Sequence, residues 1–118
     1  MIYCLENVTI MEIVVDVIVL DQCKKEIDDF PFEVKEDLFD SVRDLREGMQ
    51  LTMPISKRML GMGPCVYELR FKDRSGIYRV IYLMKKNDAI YLVHGFKKKT
   101  NKTPIKNIET ALRRIKKI

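Results

Sequence analysis

The run "VYELRFKDRSGIYRVIYL", residues 66–83, constrains the fold more than any other part of the chain. Aromatic and β-branched residues alternate with polar ones on both sides of "DRSG", a segment with turn chemistry, so the run reads as a β-hairpin. A four-residue loop from Asp73 to Gly76 pairs Lys72 with Ile77, and that register places Arg70 opposite Arg79 and Glu68 opposite Ile81. Because side chains alternate across a strand, Tyr67, Leu69, Phe71, Tyr78, Val80 and Tyr82 share the core face. A third strand, Ala89 to Phe96, follows a turn around Asn87 and Asp88. If that turn is tight, Tyr91 and Val93 join the core face, while Ile90, Leu92, His94 and Phe96 lie beside the arginines. The solvent face then presents Glu68, Arg70, Arg79 and His94. Like charges directly opposite each other are unfavourable in a sheet, so the two arginines call for a carboxylate between them or an external anion. Glu68 is the internal candidate.

Helical patterns flank this sheet. Residues Glu12 to Val19 are dense in β-branched side chains and read as a strand. Asp21 is placed to cap a short helix with Leu20, Cys23 and Ile27 on one face. Pro31 suits the first turn of a second helix, in which Val34, Leu38, Val42, Leu45 and Met49 recur at helical spacing up to a stop near Gly48. Residues 51–65, with Pro54, Gly61, Gly63 and Pro64, read as a loop with a single turn of structure around Lys57 to Leu60, and Met59 and Met62 read as core fillers. Thr103 caps a last helix that has Pro104 at its first position and Ile105, Ile108, Leu112 and Ile115 as its buried stripe. Together these elements predict one α+β domain over residues 1–118. It is a small, mainly antiparallel sheet packed by an N-terminal helical hairpin and a C-terminal helix.

Charge divides the chain in two. Residues 1–55 hold 5 Lys/Arg against 13 Asp/Glu, whereas residues 56–118 hold 17 against 4. Two explanations stay open: a functional anion, nucleic acid above all, binds the basic half, or the two halves attract each other within the fold. Cys4, Cys23 and Cys65 are odd in number and lack a CxxC pair, and one histidine cannot complete a zinc set with them, so no metal site is expected. They read as reduced thiols of a cytoplasmic protein. The apolar run Val8 to Leu20, broken by Glu12 and Asp16, is too short to span a membrane.

Cleaving RNA without a metal needs a base for the ribose 2′-OH, an acid for the 5′-oxygen and fixed cations for the charge that builds on phosphorus. Arg70 and Arg79 suit a bidentate grip on the scissile phosphate. Lys97 and Lys98, where the third strand ends, suit the leaving side or neighbouring phosphates, and Lys99 and Lys102 extend the same basic run. A solubilising surface accounts for that run equally simply. His94, the only histidine, has two readings, a catalytic group or a hydrogen-bonded structural residue with Glu68 in reach.

The linked motifs "YELR", "YRV.Y", "HGF.KK" and "K.TP" resemble the phage-derived branch of HigB-like toxins in the RelE/ParE superfamily, over about residues 20–118. The first ten residues are additional, and Met11 is an alternative start to Met1. The resemblance implies a compact RelE-like fold and ribosome-dependent mRNA cleavage that inhibits translation without metal or cofactor. It also implies a cognate antitoxin with a helix-turn-helix domain, with the ribosome and mRNA as further partners. By motif, Arg70, Arg79, Lys97 and Lys98 carry the site. The tyrosine that some RelE-like members use near the final basic cluster has no counterpart in "TNKTP", which leaves His94 or a lysine for proton transfer. Two other classes compete: a ParE-like inhibitor of DNA gyrase that is not a nuclease, and a simple nucleic-acid-binding module.

Overall fold

A computed structural model describes residues 15–85, 89–99 and 102–118. The start of the chain, Cys4, the first part of the strand expected from Glu12 and the turn at Asn87 and Asp88 lie outside the described residues. The elements run β1 (Asp16–Val19), α1 (Asp21–Asp28), α2 (Phe32–Arg46), β2 (Ser56–Arg58), β3 (Val66–Asp73), β4 (Gly76–Met84), β5 (Ala89–Lys98) and α3 (Ile105–Ile115). They form an α+β fold around one five-stranded sheet of order β1-β5-β4-β3-β2, parallel only between β1 and β5.

The first hairpin has the expected register: Lys72 opposes Ile77, Arg70 opposes Arg79 and Glu68 opposes Ile81. The second hairpin does not keep one register. From Ile77 to Ile81 it matches a two-residue turn, with Arg79 opposite Phe96 and Ile81 opposite His94, but beyond a β-bulge Tyr82 pairs with Leu92 and Met84 with Ile90. Val93 is the extra residue. A bulge reverses the face of everything beyond it, so Ile90 and Leu92 join Val80 and Tyr82 in the main core. Tyr91 and Val93 go to the other face. The expected assignment of these four residues is thereby inverted, whereas His94 and Phe96 stay on the arginine side.

That side is not open to solvent throughout. The α1–α2 hairpin covers one face, burying Cys23, Ile27, Phe30, Val34, Leu38 and Leu45 against Leu69, Phe71, Tyr78 and Val80. Helix α3 covers half of the other face, where Ala111 is fully buried and Ile108, Leu112 and Ile115 pack with Val66, Ile81, Val93 and Phe96. Met59 and Met62 fill this second core, as expected of them. Ile105, assigned to the buried stripe, is 70% exposed, and Ala111 and Asn107 are the buried residues of α3 instead. The helix starts also shift by one residue. Leu20, Pro31 and Pro104 occupy the N-cap positions, and none of the three helices has a side-chain cap hydrogen bond.

The loop expected over residues 51–65 contains β2, an edge strand that pairs Lys57 with Glu68 and Arg58 with Tyr67. Ser56 turns inward, and its hydroxyl lies 2.7 Å from that of Tyr82. Burial pushes the Tyr82 phenol up to about 12, which suits an anchoring group and not an acid.

Candidate functional site

The alternation of β3, β4 and β5 gathers one set of charged side chains on the face that α3 half covers. Glu68 and Arg70 come from β3, Arg79 from β4 and Lys98 from β5, with Lys57 beside Glu68 at the β2 edge. Glu68, Arg79 and Lys98 are each under 5% exposed, and His94 is 6% exposed, which corrects the placement of Glu68, Arg79 and His94 on a solvent face. Sheet neighbours alone would not bury them. Thr103, expected to cap α3, instead donates its hydroxyl to Glu68 Oε2 at 2.8 Å.

Glu68 is the carboxylate the facing arginines require. Its Oε1 lies 3.3 Å from Arg79 Nε and 4.0 Å from Arg70 Nε. Neither approach is an aligned hydrogen bond, so among the described residues both Nε atoms are buried without an acceptor. Arg70 directs Nη1 at Met53 Sδ, a soft acceptor 3.2 Å away. One carboxylate therefore offsets part of the charge of three cations and leaves guanidinium donors unsatisfied, an arrangement that favours an added anion. Burial lowers the Arg79 pKa from its ordinary value, Glu68 opposes this and Arg70 adds to it. The Lys98 ammonium is lowered as well, by burial first and then by Arg79, against the pull of Glu68. Its Nζ lies 3.5 Å from Thr103 Oγ1.

An open pocket of about 320 Å³ leads to Arg70 and Arg79, walled by Pro54, Ile55, Phe71, Lys72 and Ile77. A second pocket, of about 310 Å³, lies on the other side of Arg70 and includes Lys57, Arg58, Glu68, Lys102 and Thr103.

His94 belongs to a different network. Its Nδ1 is 3.0 Å from Glu26 Oε1 and its Nε2 is 2.8 Å from Asn107 Oδ1, joining α1 and α3 across β5. Arg114 completes the set with bonds of 2.9 and 3.0 Å to the two Glu26 oxygens. Burial pushes the Glu26 carboxyl up, but hydrogen bonds from Arg114, the Gly95 N–H and His94 outweigh it and hold the pKa below the ordinary value. Gly95 makes this approach possible, since a Cβ there would meet Ile27 and Phe30 at 3.3 Å. The partner expected for His94 was Glu68; the partner found is Glu26.

Residues 25–116 match the family model described as "Phage derived protein Gp49-like (DUF891)". The chain belongs to this family. Two solved structures show that the Gp49-like chain has the fold of the RelE toxin of E. coli. One is an arginine-substituted RelE mutant in the free state, with TM-score 0.62, 18% identity and coverage of 89% of this chain and 98% of that one. The other is the isolated E. coli RelE toxin, with TM-score 0.53, 17% identity and coverage of 86% and 98%. No curated protein matches the sequence.

Of the residues singled out in the Gp49-like sequence, Arg70, Arg79 and Lys98 come together. Lys97 does not join them, because neighbours on a strand face opposite ways; its ammonium lies over the Tyr78 ring, 5.8 Å from the centroid. Lys99 is exposed where β5 ends, and Lys102 lines the second pocket. Lys57 and Arg58 escaped sequence reasoning, since a three-residue strand has too few positions to show a period. Among the described residues no group of His, Cys, Asp and Glu could hold a metal, and no helix is long and apolar enough to cross a membrane.

Proposed function

We propose that this chain is the toxin of a type II toxin–antitoxin system, HigB-like in kind, and a ribosome-dependent mRNA endoribonuclease acting in the cytoplasm. The observation that carries the proposal is the facing pair Arg70 and Arg79, whose buried Nε atoms lack acceptors on the wall of an open pocket. A phosphodiester in that pocket offsets the arginine charge that Glu68 alone leaves uncompensated. In this reading the ribose 2′-OH gives its proton to solvent water in the open pocket, the 2′-oxygen attacks phosphorus, the P–O5′ bond breaks, and the products are a 2′,3′-cyclic phosphate and a 5′-hydroxyl. The arginines hold the extra negative charge of the phosphorane. Lys98, lowered by burial and by Arg79, gives its proton to the departing 5′-oxygen more readily than an ordinary lysine. Glu68 keeps the guanidiniums fixed between turnovers, and His94 locks α1, β5 and α3 together. The ribosome supplies the aligned mRNA, and an antitoxin with a helix-turn-helix domain masks the chain.

Controlled expression followed by mapping of mRNA 5′ ends tests the proposal. Cuts inside translated codons, absent from an Arg70→Ala/Arg79→Ala strain, are expected. Growth arrest with DNA damage and intact mRNA would replace the proposal with gyrase inhibition.

A further inference from the structure

The two pockets that meet at Arg70 differ in chemistry. The first is walled largely by Pro54, Ile55, Phe71 and Ile77 around the arginine pair. The second draws cations from three separate parts of the chain: Lys57 and Arg58 on β2, Arg70 on β3, and Lys102 before α3. Its one carboxylate among the described residues, Glu68, is 2% exposed and already engaged with Arg79 and Thr103. Leu60, 85% exposed, stands among these cations. Cations beside a bare apolar side chain match a nucleotide, which brings an anionic phosphate and a flat ring with an apolar face.

We propose that this second cleft is a subsite for the nucleotide next to the one whose phosphate rests on Arg70 and Arg79. Lys57 and Lys102 take its phosphate, and Leu60 takes its base. Arg70 borders both pockets, so consecutive phosphates of one strand can run past it from one to the other. An acidic peptide would satisfy the cations but would leave Leu60 without a matching ring. The subsite rests on the nuclease reading for the nature of its ligand, and the test is chosen to fail separately from that reading.

Binding of fluorescent 2′-O-methyl RNA oligonucleotides of one to four residues, which cannot be cleaved, measures the subsite directly on the full chain. Wild-type affinity is expected to rise about tenfold or more when a second nucleotide is added. Lys57→Ala should abolish that step, weaken mononucleotide binding far less, and lower the log–log salt slope by about 0.7 for each phosphate no longer neutralised. Arg79→Ala should weaken every length alike. Lys102→Ala, outside the sheet, should reproduce part of the effect on the step and guards against misfolding of the β2 variant. Equal weakening at every length in both variants, or no weakening at all, overturns the subsite. Cleavage of translated mRNA reports on the nuclease separately: an uncleaving wild type that shows the length step retains the subsite and loses the nuclease, and a cleaving wild type without the step does the reverse.

Discussion

Arg70 and Arg79 face each other across one strand pair, but their surroundings make them unequal. The Arg70 side chain is 18% exposed and that of Arg79 only 5%. Arg70→Ala should therefore act mainly on chemistry, lowering single-turnover cleavage by about 10²-fold or more, the usual cost of one transition-state donor, with a small change in melting temperature. Arg79→Ala should lose both, since it strips a buried carboxylate of its nearest cation. Cleavage and thermal melting measured on the same preparations distinguish them. Lys98 makes a pH prediction. A proton donor works while protonated, so cleavage should fall as pH rises through a Lys98 pKa that lies below the ordinary 10.5. Lys98→Arg keeps the charge but holds its proton, and should lose about 10²-fold in rate together with that alkaline limb. The arginine pair was legible in the sequence because a short loop and a period of two determine a register. The burial of Glu68 and Lys98 was not, because Thr103 reaches both from a segment whose own spacing said only helix start.

Three elements meet at Glu26, and their attachment depends on its charge. It joins α1 to β5 through His94 and the Gly95 N–H, and to α3 through Arg114. Because the folded pKa of Glu26 is lowered, the stability it contributes is fully present above the ordinary carboxylate value of 4.5 and is lost as pH falls through the lower folded value. Glu26→Gln should melt earlier than wild type at neutral pH, by about 2 kcal/mol for charge-assisted bonds, and the gap should close in acid. A constant gap across that range would exclude the charge as the cause. His94→Gln should lower stability by about 1–3 kcal/mol in thermal melting while cleavage stays within a few-fold, since both ring nitrogens are engaged in joining helices. The helical hairpin, the strands and α3 were readable from periodicity. The face that α3 covers was not, because an amphipathic stripe says that a helix packs without saying on which side of a sheet. The three-residue β2 was unreadable for want of length.

At the scale of the whole molecule the sheet separates two cores, and the deeper one lies under the α1–α2 hairpin. Leu38→Ala, at a fully buried position there, should cost about 2–5 kcal/mol, and Leu112→Ala in the partly buried second core should cost less; chemical denaturation compares them. The acidic and basic halves also meet, through Glu26 and Arg114, so internal attraction accounts for part of the charge division. The basic face around Arg70 is not explained by that attraction and is the part that the proposed RNA contact would use. The bulge at Val93 was hidden because "AIYLV" is apolar on both faces and offers no contrast from which to read parity. Its position divides the β4–β5 pair into two stretches of different register. Between the chain reversal and Tyr82 the two strands run one residue out of step with the stretch that carries Arg79, and the step is absorbed at a single place. The one extra residue therefore serves both ends of β5: it lets Ile90 and Leu92 pack in the main core while Arg79, Phe96 and Lys98 keep the register of the candidate site.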